Sequence, residues 1–235
     1  MNSRLRKRFW TKVDIVEESS GFSLRLDNKP LKTPAKAALI VPTRALADWI
    51  AAEWQAQTDR INPATMPATR AANAAIDKVQ TQFDEVAGLL TAYGETDLLC
   101  YRAPAPVELI ARQAAAWDPL LQWSKARFGI DWALTTGVMP ARQSADTLAI
   151  LAAHVAGFTP FQLTAFHDLV AMSGSLVIAL AATDGHAAPE TLWSASRIDE
   201  DWQIEQWGED DEATALAERR RSAFLHAARF FAICT

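Results

Sequence analysis

Ile61-Asn62-Pro63-Ala64-Thr65-Met66-Pro67 is the stretch on which the reading of the fold turns. Its two prolines interrupt a helical pattern, because a proline inside a helix lacks the amide proton and clashes with the turn before it. They mark the best candidate boundary in the chain. On the two sides of it the hydrophobic period differs.

Before the break the period is two. Phe9, Thr11, Val13 and Ile15 share one parity, Phe22, Leu24 and Leu26 another, and Leu39-Ile40-Val41 closes the region. Gly21, Asp27-Asn28 and Pro34 punctuate these runs, so the pattern predicts a small antiparallel sheet within residues 9–41. Such a sheet does not stand alone without a helix or the rest of the chain against it. Pro42-Thr43 then opens a helix, with Thr43 as N-cap and Leu46, Trp49, Ile50 and Glu53 or Trp54 at steps of three and four. That helix is expected to cover the sheet.

After the break the period is helical. The spacing predicts helices over 68–81, 83–93, 107–128, 144–156, 160–182, 189–207 and 212–233, with Pro119 kinking the third. In the fifth, Phe166, Leu169 or Val170, Ser173, Val177 and Leu180 form one stripe, and apolar residues on the other faces make it a central helix. The fold class is therefore α+β: residues 1–66 as a small antiparallel β domain with one covering helix, and 67–235 as a larger all-α-helical domain.

Composition narrows the function classes. The chain has 235 residues, 22% of them charged, and a net charge of −5, so a nucleic-acid or anionic-membrane surface is not expected. The basic start, Arg4, Arg6, Lys7 and Arg8, runs into Phe9-Trp10 with no apolar core of a signal peptide behind it. The longest uncharged run, 169–183, is too short to span a bilayer and reads as a buried helix. Cys100 and Cys234 have no C-x-x-C partner and fit reduced thiols.

A search for chemistry returns little. No two of His154, His167, His186 and His226 have the spacing of a helical metal site, and there is no phosphate-cradling glycine loop or nucleophile elbow. Neither a metal nor a cofactor is expected. Glu95 and Asp97, shortly before Cys100, form the only local acid pair beside a thiol. Capping and turn chemistry is one reading of them, and a small-molecule hydrolase or transferase using Cys100 is the other.

The segment Asp199–Glu212 carries eight carboxylates and no Lys or Arg, yet includes Trp202, Ile204 and Trp207. Ala195, Ile198, Trp202 and Glu205 recur at three, four and three, so Glu205 continues an apolar stripe. A carboxylate there is paired or awaits a partner. One reading is an amphipathic helix that ends at Gly208, with Arg219, Arg220 and Arg221 neutralising the acids. The other is an acidic docking surface with Trp anchors.

The chain resembles the F1-ATPase assembly chaperones that bind the free α subunit. The resemblance rests on Arg8-Phe9-Trp10, Leu26 to Pro34, Glu53-Trp54, Met66-Pro67 with Thr69-Arg70 and Ala72-Asn73, Thr96 to Arg102, Gly174-Ser175-Leu176, and Trp202-Gln203-Ile204-Glu205 with Trp207-Gly208. It implies a β domain on a larger helical domain and a function without catalysis, in which the α subunit is held transiently until the β subunit covers the same surface. It also implies that Glu205 acts in partner binding, with Trp202 and Trp207 beside it. After Gly208 this chain reads Glu-Asp-Asp-Glu-Ala where the mitochondrial relatives have an acid followed by an aromatic, so the counterpart of their second functional acid is either Asp211 or Glu212. The missing targeting extension implies a bacterial cytoplasmic member of a family whose eukaryotic relatives work in the mitochondrial matrix.

Overall fold

The structure is a computed structural model that describes residues 6–137, 139, 140 and 142–234. Arg4 of the basic start lies outside the described residues. The chain divides into two compact units, Met1–Phe83 with Thr159–Ala165 and Arg229–Thr235, and Asp84–Phe158 with Phe166–Ala228.

The first unit is built on a four-stranded antiparallel sheet. Strand β1 (Val13–Glu18) pairs with β2 (Gly21–Leu26) in a register that sets Val13 opposite Leu26 and Glu18 opposite Gly21. On β2 also pair β3 (Lys29–Pro30) and β4 (Ile40–Val41). The turn into β3 places Asp27 and Asn28 at φ of 46° and 69°, the left-handed pair that a tight hairpin requires. The Asp27 carboxylate accepts from the amides of Lys12 and Thr11, and these bonds hold it below the usual carboxylate range. Gly21 is obligatory, since a Cβ there would lie 2.3 Å from the Val41 carbonyl oxygen.

Helix α1 (Arg44–Gln55) packs on β1 and β2, as its stripe predicts, through buried Leu46, Ala47, Ile50 and Glu53. Thr43 caps it, accepting from the Leu46 amide at 3.3 Å and donating its own hydroxyl to the Ile233 carbonyl at 2.5 Å. The proline-rich break forms a short 3-10 turn over Pro63–Thr65 and then α2 (Pro67–Ala74), which runs on into a π-helical turn over Ala75–Val79. Met66 offers α2 no side-chain cap. Glu53 replaces it, with its carboxylate accepting from the amides of Ala68 (2.7 Å) and Thr69 (2.8 Å) and from the Thr69 hydroxyl (2.6 Å).

The second unit is mostly helical. Helix α3 (Phe83–Thr91), two 3-10 turns over 92–96 and 98–100, and α4 (Val107–Phe128) come first. Helix α4 runs through Pro119 without interruption and stops at Gly129, at φ 69°. A two-residue parallel pair, β5 (Tyr101–Arg102) with β6 (Thr135–Thr136), stands where no strand is read from the sequence. Then follow α5 (Ala145–Ala156), α6 (Pro160–Ser173), whose residues up to Ala165 belong to the first unit, α7 (Leu176–Thr183), α8 (Pro189–Ala195), α9 (Ile198–Trp207) and α10 (Asp211–Ile233), whose residues from Arg229 belong to the first unit.

Two helices expected to be continuous are each broken in two. The helix read over 160–182 stops at Gly174, at φ 70°, and restarts as α7 with Ser175 accepting from the Ile178 amide at 3.0 Å. The helix read over 189–207 breaks at Ser196-Arg197, where the Ser196 hydroxyl turns back to the Trp193 carbonyl at 2.7 Å. Helix α7 is central as its all-round apolar sequence predicts, with Leu176 to Ala181 fully buried. Among the described residues no helix is long and apolar enough to cross a membrane.

Candidate docking surface on α9 and α10

Three of the eight acids have local structural roles. Asp199, Glu200 and Asp201 occupy the first turn of α9, where negative charge meets the positive end of the helix dipole. Glu200 pairs with Arg197 at 2.9 Å, and Asp199 accepts from the Gln113 amide at 2.6 Å. Burial pushes the Asp201 carboxyl above its ordinary value, against the pull of Arg197 and Arg112.

Along the stripe burial falls off towards the C-terminus. Ala195 and Ile198 are buried, Trp202 is half-buried, and half of the Glu205 side chain is exposed. The Glu205 carboxylate has a partner that was not foreseen. Arg112 of α4 reaches it with both terminal nitrogens, at 2.7 and 3.0 Å, while its guanidinium stands 5.1 Å from the centre of the Trp202 ring. The fork-to-fork bond lowers the Glu205 pKa and raises that of Arg112. The three arginines considered for this role do not fill it. Arg221 pairs with Glu218 at 3.3 Å, and among the described residues neither Arg219 nor Arg220 makes an ion pair. Periodicity finds a residue's face and cannot find a partner 93 positions away, so Arg112 carries no sequence signal.

Beyond Glu205 the chain leaves the body of the unit. Trp207 is 80% exposed. Gly208 ends α9 at φ 91°, its amide donating to the Ile204 carbonyl at 2.8 Å. Asp210 then caps α10, accepting from the Ala213 amide at 2.8 Å, and Asp211 and Glu212 fill the first turn. From Asp211 to Arg220 every residue except Ala217 is exposed, and burial begins at Phe224. Ten residues of helix rise about 15 Å, so this is a projecting arm. Among the described residues Glu209, Asp210, Asp211 and Glu212 form no ion pair; they follow the exposed Trp207 in sequence, and Asp210, Asp211 and Glu212 share a surface hollow with the half-exposed Leu216 and with Arg219.

The sequence alternative centred on Cys100 meets a different geometry. The thiol is buried, and burial together with the neighbouring Asp97 charge pushes its pKa up to about 12, away from the thiolate that a nucleophile needs. Asp97 is wholly buried and serves as a cap, accepting from Leu99 N (3.0 Å), Val177 N (3.0 Å) and the Ser175 hydroxyl (2.9 Å). Glu95 is exposed. Among the described residues no group of His, Cys, Asp or Glu side chains could hold a metal ion.

Comparison with known proteins bears on the whole of this architecture. The family model described as ATP12 chaperone protein matches residues 7–125. The chain belongs to the ATP12 chaperone family. ATP12 of Paracoccus denitrificans superposes with a TM-score of 0.95 at 47% identity, over 97% of this chain and 98% of that one. An aspartate-to-lysine variant of the same Paracoccus protein gives 0.95 at 46% identity, with the same coverage. A protein of Agrobacterium tumefaciens gives 0.91 at 39% identity, over 97% of this chain and 85% of that one. The expected family and α+β architecture are thereby borne out, and the chain is a chaperone of F1-ATPase assembly. The matched residues include Glu53, Asp97 and Arg112 and end before α9, so the acidic arm lies outside the part that the family model matches.

Proposed function

We propose that this chaperone binds the unassembled α subunit of F1-ATPase transiently and shields the surface that later faces the β subunit, with the arm of α9 and α10 as its docking element. The observation that supports the reading is the 80% exposure of Trp207 at the end of α9, followed by four carboxylates that have no ion pair among the described residues and lead into the exposed first half of α10. An exposed tryptophan is costly to leave in water and is the residue most often found anchoring interfaces. An α subunit made before its partner exposes apolar surface of the kind that aggregates. A binder that must later let go suits a polar-rimmed contact better than a dry one. Trp207, Asp211 and Glu212 form the tip. Trp202 and Glu205 form its ordered base through Arg112, in a bacterial cytoplasm and without any cofactor or nucleic acid.

The test is capture of tagged, freshly refolded α subunit. Trp207→Ala combined with Asp211→Asn and Glu212→Gln should weaken capture about 30-fold or more, the scale seen when charges facing a partner are removed. The circular dichroism melt should stay unchanged, because these side chains are solvent-exposed. Undiminished capture by this triple variant would remove the arm from the interface.

A further inference from the structure

The first unit holds a feature that the docking arm does not use. A groove of about 650 Å³ opens between the β2–β3 turn, the loop after β3, and α2. Its size is that of clefts that take peptides or small ligands, roughly 300–1,000 Å³. Five cationic side chains line it, Arg6, Lys29, Lys32, Lys36 and Arg70, and no carboxylate does, in a chain whose net charge is −5. Among the described residues none of the five is in an ion pair, and all are exposed. The lining is also apolar, with Leu26, Leu31, Trp54 and Met66 alongside a Phe9 that is 62% exposed.

One detail separates this groove from a merely solvated basic face. Lys36 sits at φ 70°, a conformation that glycine or asparagine adopts at lower cost. The turn that holds it is tied by Lys36 N to the Thr33 carbonyl (2.9 Å), Ala37 N to the Thr33 hydroxyl (3.1 Å) and Ala35 N to Asp77 (3.0 Å). The segments that line it, Leu26 to Pro34, Trp54, Met66 and Thr69 to Asn73, are ones that carry the family resemblance, and all lie within the matched residues 7–125.

We propose that this groove binds an acidic peptide segment of a protein client, with carboxylates on the lysine and arginine rim and an aromatic or aliphatic side chain on the Phe9–Trp54 floor. A phosphate ligand fits less well, because no glycine lines the groove to let backbone amides close on an anion, and the apolar floor would go unused. A peptide that alternates acid and apolar residues uses both. The inference does not rest on the α subunit being the client, nor on the arm.

The probe is a fluorescein-labelled pool of eight-residue peptides in which Asp and Glu are interspersed with Leu, Ile, Phe and Trp, read by anisotropy. The control is the same pool with Asn and Gln in place of the acids. Binding of the acidic pool should weaken at least tenfold in Lys29→Gln/Lys32→Gln/Lys36→Gln, whose three sites are exposed and whose melt should match the parent. It should also weaken in high salt, and persist in Trp207→Ala/Asp211→Asn/Glu212→Gln, so that failure of the arm and failure of the groove give different results. Absence of binding by the acidic pool, equal binding by the amide pool, or full binding by the lysine variant would each overturn the proposal. So would displacement of the acidic pool by ATP, a single-stranded oligonucleotide or phosphatidylserine vesicles at lower concentration than unlabelled acidic peptide.

Discussion

At the scale of single residues, Glu205 already has a partner within the fold, which its proposed role in recognition must share. Its two bonds to Arg112, and the cation held near Trp202, fix the base of the arm without burying a charge. Because the pair is open to solvent, Glu205→Gln should lower the melting temperature by no more than about 2 °C. Arg112 brings the folded pKa of Glu205 below its unfolded value, so the contribution of the pair is present above the ordinary glutamate pKa and fades as pH falls through the folded one. A double-mutant cycle with Arg112→Gln, followed by melting and by capture, separates the two roles: additive melting effects with non-additive capture place the pair at the interface. His154 has a consequence at higher pH. Burial between the rings of Phe128 and Phe158 lowers its pKa from 6.5, with Arg127 acting the same way and Asp184 opposing. The unfolded chain then takes up a proton that the folded one refuses, so stability present above pH 6.5 is lost as pH falls below it. His154→Phe should flatten the fall in melting temperature between about pH 7 and 5. His167, whose pKa Asp168 raises, is common to both proteins and cancels in the comparison.

At the scale of elements, the junction of α1 and α2 depends on one carboxylate. Glu53→Ala leaves two amides and a hydroxyl buried without acceptors, at a cost of about 2–4 kcal/mol, which thermal melting should show as a fall of roughly 5–12 °C. An unchanged melt would mean that water reaches the first turn of α2. The sequence places Glu53 on the inward face of its helix, because the face follows from local spacing. Its bond partners, 15 and 16 residues on, do not follow from that spacing. The same limit explains most of the differences from expectation. Apolar period identified the sheet, Thr43 as a cap and α7 as a central helix, since each is a property of contiguous residues. It ran through Gly174 and Ser196-Arg197 because the apolar stripe persists while the backbone turns. It gave no sign of the β5–β6 pair, whose strands are two residues each. At the candidate sites the acids and tryptophans were legible as composition. Arg112 and the basic groove were not, because both are assembled from segments that only the fold brings together.

At the scale of the whole molecule, charge is distributed unevenly. The second unit presents an arm of carboxylates, and the first a groove of cations, in a chain of net charge −5. Added salt should therefore weaken client capture through both surfaces, since exposed charges more than about 8–10 Å apart are screened at physiological ionic strength. Capture measured between about 0.05 and 0.5 M salt should fall monotonically for the parent. The fall should be shallower in each of the two triple variants, and a parent unaffected by salt would exclude charge from recognition.

The route of the backbone through the first unit has a further consequence in time. Its sheet and α1 are synthesised early, but Trp49 is covered by Phe230 and by the guanidinium of Arg229, and the Thr43 hydroxyl finds its acceptor at Ile233. Domains generally fold from the N-terminus as they leave the ribosome. Here the sheet and α1 wait for a segment 190 residues further along the chain. Nascent chains stalled before Arg229 has cleared the exit tunnel should leave the region around α1 open to a brief protease pulse, and chains stalled after Cys234 has emerged should protect it. A chaperone of assembly is thus itself incomplete until Arg229 to Ile233 have been made.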